Sequence, residues 1–89
     1  MYTTSRYASK ETIRFAQLMA ERKKERFLNR NKKTINEMVE IARTSGDEHI
    51  YIIRERKGIP STISEILINS NGGWRWDKTK ISCEKSRSK

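Results

Sequence analysis

Eighty-nine residues allow one domain, since single domains run from roughly 50 to 250 residues and a second core would have no material. Twenty Lys and Arg against eleven Asp and Glu give a formal charge of +9, and 34% of the residues are hydrophobic; this balance excludes a large interior cavity and points to a polyanionic partner. One cysteine and one histidine, Cys83 and His49, exclude a disulfide framework and a structural zinc site, and the longest apolar run, Ile50-Tyr51-Ile52-Ile53, is far too short to span a membrane, so the chain reads as cytoplasmic, without cofactor or membrane partner.

Met1-Tyr2-Thr3-Thr4, β-favouring through its aromatic and β-branched residues, predicts a short first strand. Ser9 then supplies an N-cap and Glu11 an acidic first turn for a helix running to about Arg22. Its apolar face carries Thr12, Ile13, Phe15, Ala16, Met19 and Ala20. The basic stretch that follows holds Phe27-Leu28 as its only apolar pair and predicts a short strand at Arg26 to Asn29 between basic loops. Thr34 and Glu37 form a capping box, Ile35, Met38, Val39 and Ala42 recur at i, i+3, i+4, i+7, and Gly46 ends this second helix. The continuously apolar Ile50 to Ile53 predicts a central strand covered on both faces. Lys57-Gly58-Ile59-Pro60 breaks it, and Thr62 to Ile68 predicts a further strand. Asn71-Gly72-Gly73 is a hairpin signal leading into Trp74-Arg75-Trp76 and on to about Ile81, while Glu84 to Lys89 lacks apolar residues and reads as a basic flexible tail.

The expected fold is therefore a single small α/β domain over residues 1–83: a βαβα unit followed by a β-hairpin, with a mixed sheet and two helices. The first three strands lie parallel through right-handed crossovers, and the helices pack on one face or on opposite faces.

Thr3-Thr4-Ser5-Arg6 after a strand, Arg14-Phe15 in a Ser-started helix, Phe27 with Arg30, Glu37 and Ala42 in a helix, Gly46-Asp47, an Ile-rich strand and Glu55-Arg56-Lys57-Gly58-Ile59-Pro60 follow one another in an order that resembles the opening half of a Brix domain. The resemblance covers about Tyr2 to Ile68. It implies a fold like the anticodon-binding domain of certain aminoacyl-tRNA synthetases, an archaeal ribosome-biogenesis setting and ribosomal RNA as partner. A Brix domain has two similar halves, and this chain corresponds to one of them.

Arg22, Lys23, Lys24, Arg26, Arg30, Lys32 and Lys33 put seven cations within twelve residues, with the amides of Asn29 and Asn31 as neutral donors, as phosphate binding requires. Arg54, Arg56 and Lys57 leave the central strand at a Gly-Pro turn, where cations and backbone amides converge on a phosphate or, equally, the arginines pair with Glu55 or Glu65. Arg6 closes the Thr-Thr-Ser-Arg element. Trp74 and Trp76 share a strand face; Trp76 is expected to be the more buried, leaving Trp74 free to stack on a base. No nucleophile with a base, carboxylate pair or phosphate-cradling Gly-Lys-Ser loop is present, so the chain reads as a non-enzyme. The expected function is ribosomal RNA binding, in ribosome assembly or as a small ribosomal component of a ribonucleoprotein. The alternative is a protein-interaction module, pairing with itself as a homodimer or with a ribosomal or ribosome-assembly protein.

Overall fold

The computed structural model describes residues 1–77 and the strand residues 81–82. The elements, in order, are β1 (Tyr2–Thr4), α1 (Lys10–Lys23), α2 (Ile35–Ser45), β2 (His49–Arg56), β3 (Ile59–Ile68), β4 (Trp74–Trp76) and β5 (Ile81–Ser82). Lys78, Cys83 and the expected tail at 84–89 lie outside the described residues.

Both helices start where a hydroxyl occupies a free N–H group. Ser9 Oγ accepts from Thr12 N at 3.2 Å to open α1, and Lys24, left-handed at φ 57°, closes it. The α2 capping box is complete: Thr34 Oγ1 accepts from Glu37 N at 3.2 Å, and the Glu37 carboxylate accepts from Thr34 N at 2.8 Å. Gly46, at φ 86°, terminates α2 with its N–H on the Ala42 and Arg43 carbonyls. Each such cap is worth about 1 kcal/mol.

β1 sits inside the sheet although it is only three residues long. On one side it pairs in parallel with β2, Tyr2 opposite Tyr51 and Thr4 opposite Ile53. On the other side Tyr2 bridges Phe27, also in parallel, through Tyr2 N to Arg26 O and Leu28 N to Tyr2 O, both 2.8 Å. The strand expected over Arg26 to Asn29 thus shrinks to this one bridge, because the Leu28 carbonyl, which a longer ladder would use, accepts from Thr3 Oγ1 at 2.7 Å. The parallel order is Phe27, β1, β2; β3 then adds antiparallel to β2, and β4 and β5 pair antiparallel with successive parts of β3.

This order fixes the helix positions. α1 carries the chain from β1 to the Phe27 side, whereas α2 carries it back across β1 to β2; right-handed connections running in opposite directions place their helices on opposite faces. Two cores result. Ile50, Ile52 and Ile66 pack with Met1, Met38, Val39 and Ala42 on the α2 face. Ile53 and Ile63 pack with Tyr2, Ala16 and Ala20 on the α1 face. The central strand is covered on both faces, as its unbroken apolar run predicts, and the small stripe Thr12, Ala16, Ala20 brings α1 down onto the sheet.

The β2–β3 connection is tighter than the sequence indicates. Lys57 and Gly58 both have positive φ, 55° and 78°, as a two-residue hairpin turn demands, so Ile59 and Pro60 belong to β3 instead of breaking the sheet. A register shift between Arg54 and Glu55 accommodates Pro60, which has no N–H to give the ladder.

Candidate nucleic-acid interface

The parallel strands all end toward the same edge, and each is followed by an arginine: Arg6 after β1, Arg30 after the Phe27 bridge, and Arg54 just past the last residue of β2 that pairs with β1. Arg30 is only 8% exposed, yet its partners are backbone carbonyls: Nη1 donates to Thr4 O at 3.3 Å and Nε to Lys33 O at 3.0 Å. Burial, followed by the nearby charges of Arg6 and Arg54, holds its pKa below the ordinary arginine value. Arginine does not lose its proton in proteins, so the three like charges persist side by side, and an anion placed among them would relieve their repulsion.

The surrounding loop adds to the positive field. Arg6 Nη2 donates to Lys32 O at 3.2 Å, and Lys33 Nζ to Asn29 O at 3.2 Å. Among the described residues none of Arg6, Arg30, Lys32, Lys33 or Arg54 has a carboxylate in salt-bridge range. Glu55, beside Arg54 in sequence, faces the α1 N-terminus instead, accepting from Thr12 Oγ1 and from Ser9 N at 3.1 Å. Glu65 is engaged by His49. The pairing of Arg54 and Arg56 with Glu55 or Glu65, one of the two sequence readings, is therefore not formed.

The tryptophans exchange their expected places. Trp74 is half-buried against the α2 core and donates Nε1 to Asn36 Oδ1 at 3.1 Å, because the side of α2 bearing Asn36 and Arg43 overlies the β3–β4 turn. Trp76 is 39% exposed, and the Arg54 guanidinium lies 5.5 Å from its ring centroid. Arg54 Nε also donates to Ser64 Oγ at 2.7 Å, and Arg54, Ser64, Trp76 and Asp77 line a shallow cavity there. Trp76 is thus an exposed aromatic beside Arg54, and only its spacing from Trp74 hinted at it.

The seven-cation segment does not form one patch. Arg22, Lys23 and Lys24 end or follow α1 at the opposite, N-terminal end of the strands, where Arg26 lies 3.4 Å from Asp47. The chain then crosses the sheet through Phe27 and Leu28 before Arg30, Lys32 and Lys33 reach the C-terminal edge. Arg56 and Lys57 are exposed at the β2–β3 turn, which Ser9 ties to α1 through its Oγ bond to Gly58 O at 2.8 Å. Among the described residues no three His, Cys, Asp or Glu side chains gather as a metal site, and no helix is long and apolar enough to cross a membrane.

No protein-family model matches this sequence, and no curated protein matches it. Solved structures that share its architecture include the following two. An archaeal Imp4-like protein superposes with a TM-score of 0.68 at 30% identity, covering 83% of this chain and 46% of its own. A probable ribosomal biogenesis protein from Aeropyrum pernix K1 superposes with a TM-score of 0.67 over 85% of this chain and 42% of its own; its 21% identity shows the fold alone. The chain spans less than half the length of either. The likeness to an Imp4-like protein supports the Brix-like reading of the sequence.

Proposed function

We propose that this chain is a Brix-type half-domain that binds ribosomal RNA through the C-terminal edge of its parallel strands and acts, without catalysis, in ribosome assembly or as a small component of the particle in the cytoplasm. The observation that carries this reading is Arg30: a buried guanidinium held by carbonyls alone, flanked by Arg6 and Arg54 and free of carboxylates among the described residues. Such a site gains free energy from a phosphate and releases the counterions condensed on the nucleic acid. The likeness to an archaeal Imp4-like protein, together with the Brix-like order of motifs along the chain, supports the ribosomal setting, with ribosomal or ribosome-assembly proteins as further partners.

Self-pairing draws less support. β4 is three residues long, a poor template for edge-to-edge association, and Trp76 on it is already engaged by Arg54.

The test is titration of a structured ribosomal RNA fragment at increasing salt. Five contacts, from Arg6, Arg30, Lys32, Lys33 and Arg54, give a slope of log affinity against log salt of about −4. A salt-independent affinity would refute the reading. Sedimentation of cell extract then separates the two roles: co-migration with translating ribosomes marks a resident component, and confinement to precursor particles marks an assembly factor.

A further inference from the structure

At β1 and the Phe27 bridge the sheet has a topological switch point: the connection leaving β1 goes to the α1 face, and the one leaving Phe27 goes to the α2 face. The two loops diverge and leave a crevice at the carboxyl ends of the strands, the place where α/β sheets take their ligands. A pocket of about 400 Å³ lies there, within the range of small-ligand sites, roughly 300–1,000 Å³. Its apolar wall comes from Ala8 and Ile13, and its polar side from Ser5, Asn29, Asn31 and Lys32.

Two further features point to an occupant. Tyr7 lines the same pocket at 72% exposure, although a tyrosine ring gains most by burial. Its backbone is also left-handed, at φ 57°, a conformation unfavourable for a bulky side chain and typical of positions kept for binding. Across the pocket, Asn31 is left-handed as well, at φ 51°. An aromatic ring, two carboxamides carrying both donors and acceptors, and the Arg6 guanidinium 3.2 Å from the Lys32 carbonyl offer a stacking surface, base-edge hydrogen bonds and a phosphate clamp.

We infer that this pocket receives a single unpaired nucleobase, stacked on Tyr7 and read by Asn29 and Asn31, with the adjoining phosphate on Arg6 and Lys32. The inference rests on the RNA-binding reading above and names what that interface selects: a bulged or single-stranded nucleotide within a structured RNA. A free mononucleotide presents the same chemistry, so the experiment separates the two sources.

Affinities of the full chain are measured by fluorescence polarisation for an RNA hairpin with a bulged adenine, the same hairpin with an abasic bulge, and free adenosine monophosphate as competitor. The base-containing bulge should bind about tenfold more tightly than the abasic one, the advantage of a stacked base. Tyr7→Ala should erase that preference while leaving the abasic affinity unchanged, and Tyr7→Phe should keep it. Equal, salt-dependent binding of both hairpins by the wild-type chain would overturn the nucleobase pocket and leave the RNA reading standing. Binding of neither hairpin would overturn both. Competition by adenosine monophosphate at the affinity of the bulged hairpin, lost in Tyr7→Ala, would reassign the pocket to free nucleotides and overturn the strand as its source.

Discussion

The two ends of the parallel strands carry similar numbers of cations and use them differently. At the N-terminal end two of the positive groups meet carboxylates, Arg26 facing Asp47 and the Met1 ammonium donating to Glu25 at 2.9 Å, while Arg22, Lys23 and Lys24 stand in or after the last turn of α1 outside these pairs. At the C-terminal end Arg6 and Arg30 meet carbonyl oxygens, and Arg54 meets a hydroxyl and an indole ring. One end offsets part of its positive charge internally, and the other, with no carboxylate in salt-bridge range of its cations among the described residues, holds a field that a polyanion can discharge. Cation density along the chain does not reveal this difference, because what matters is where the acids fold to.

The comparison breaks most sharply at Arg30. Arg30→Ala should weaken structured-RNA binding by tenfold or more, and should also cost about 1–3 kcal/mol of stability by stranding the Thr4 and Lys33 carbonyls. Urea melts and RNA titrations of that variant measure both; an unchanged affinity would remove the C-terminal edge from the interface. A smaller effect is expected from charge removal at each end. Replacing Arg6 and Arg54 with Ala should flatten the salt slope by about 2, whereas Lys23→Ala with Lys24→Ala should leave it nearly unchanged. If the two double variants behave alike, the ends are equivalent and the compensation argument fails.

The tryptophans sharpen the contrast at about 1 kcal/mol. Trp74→Phe removes the Asn36 hydrogen bond and part of the packing on α2, so it should lower the unfolding free energy by about 1 kcal/mol with RNA affinity intact. Trp76→Ala should do the reverse, melting near wild type but binding RNA several-fold more weakly. Thermal melts paired with titrations decide which ring belongs to the core.

The smallest effect concerns Glu55. The Thr12 hydroxyl, with Ser9 behind it, holds the Glu55 carboxyl below the usual carboxylate range. Its folded pKa is depressed, so its stabilising contribution is complete above the unfolded value of about 4.3 and is lost as pH falls through the lower folded value. Glu55→Gln should therefore flatten the acid limb of stability against pH without changing RNA affinity at neutral pH, as urea midpoints at successive pH values would show.

Local signals carried most of the fold. The Ser9 cap, the Thr34–Glu37 box, Gly46 and the unbroken Ile50 to Ile53 run each act within a few residues, and each stands where the pattern indicates. What escaped depends on contacts distant in sequence. The Thr3 hydroxyl truncates the strand at Phe27, α2 decides which tryptophan is covered, and the sheet crossing at Phe27-Leu28 divides one basic segment between two ends. Arg6, Arg30 and Arg54 were each visible as cations, but their convergence is a product of parallel strand order, which no local pattern records.

The interior place of β1 also governs the order of assembly. Tyr2 to Thr4 must wait for Tyr51 to Ile53, far downstream, before the parallel ladder with β2 can close, and before that β1 has only the single bridge to Phe27. Until then the β2–β3 hairpin, closed by its two-residue turn, is the natural local nucleus. A chain emerging from the ribosome would hold Arg6, Arg30 and Arg54 apart until that ladder forms, so the convergent arginine site comes into being only with the completed parallel sheet.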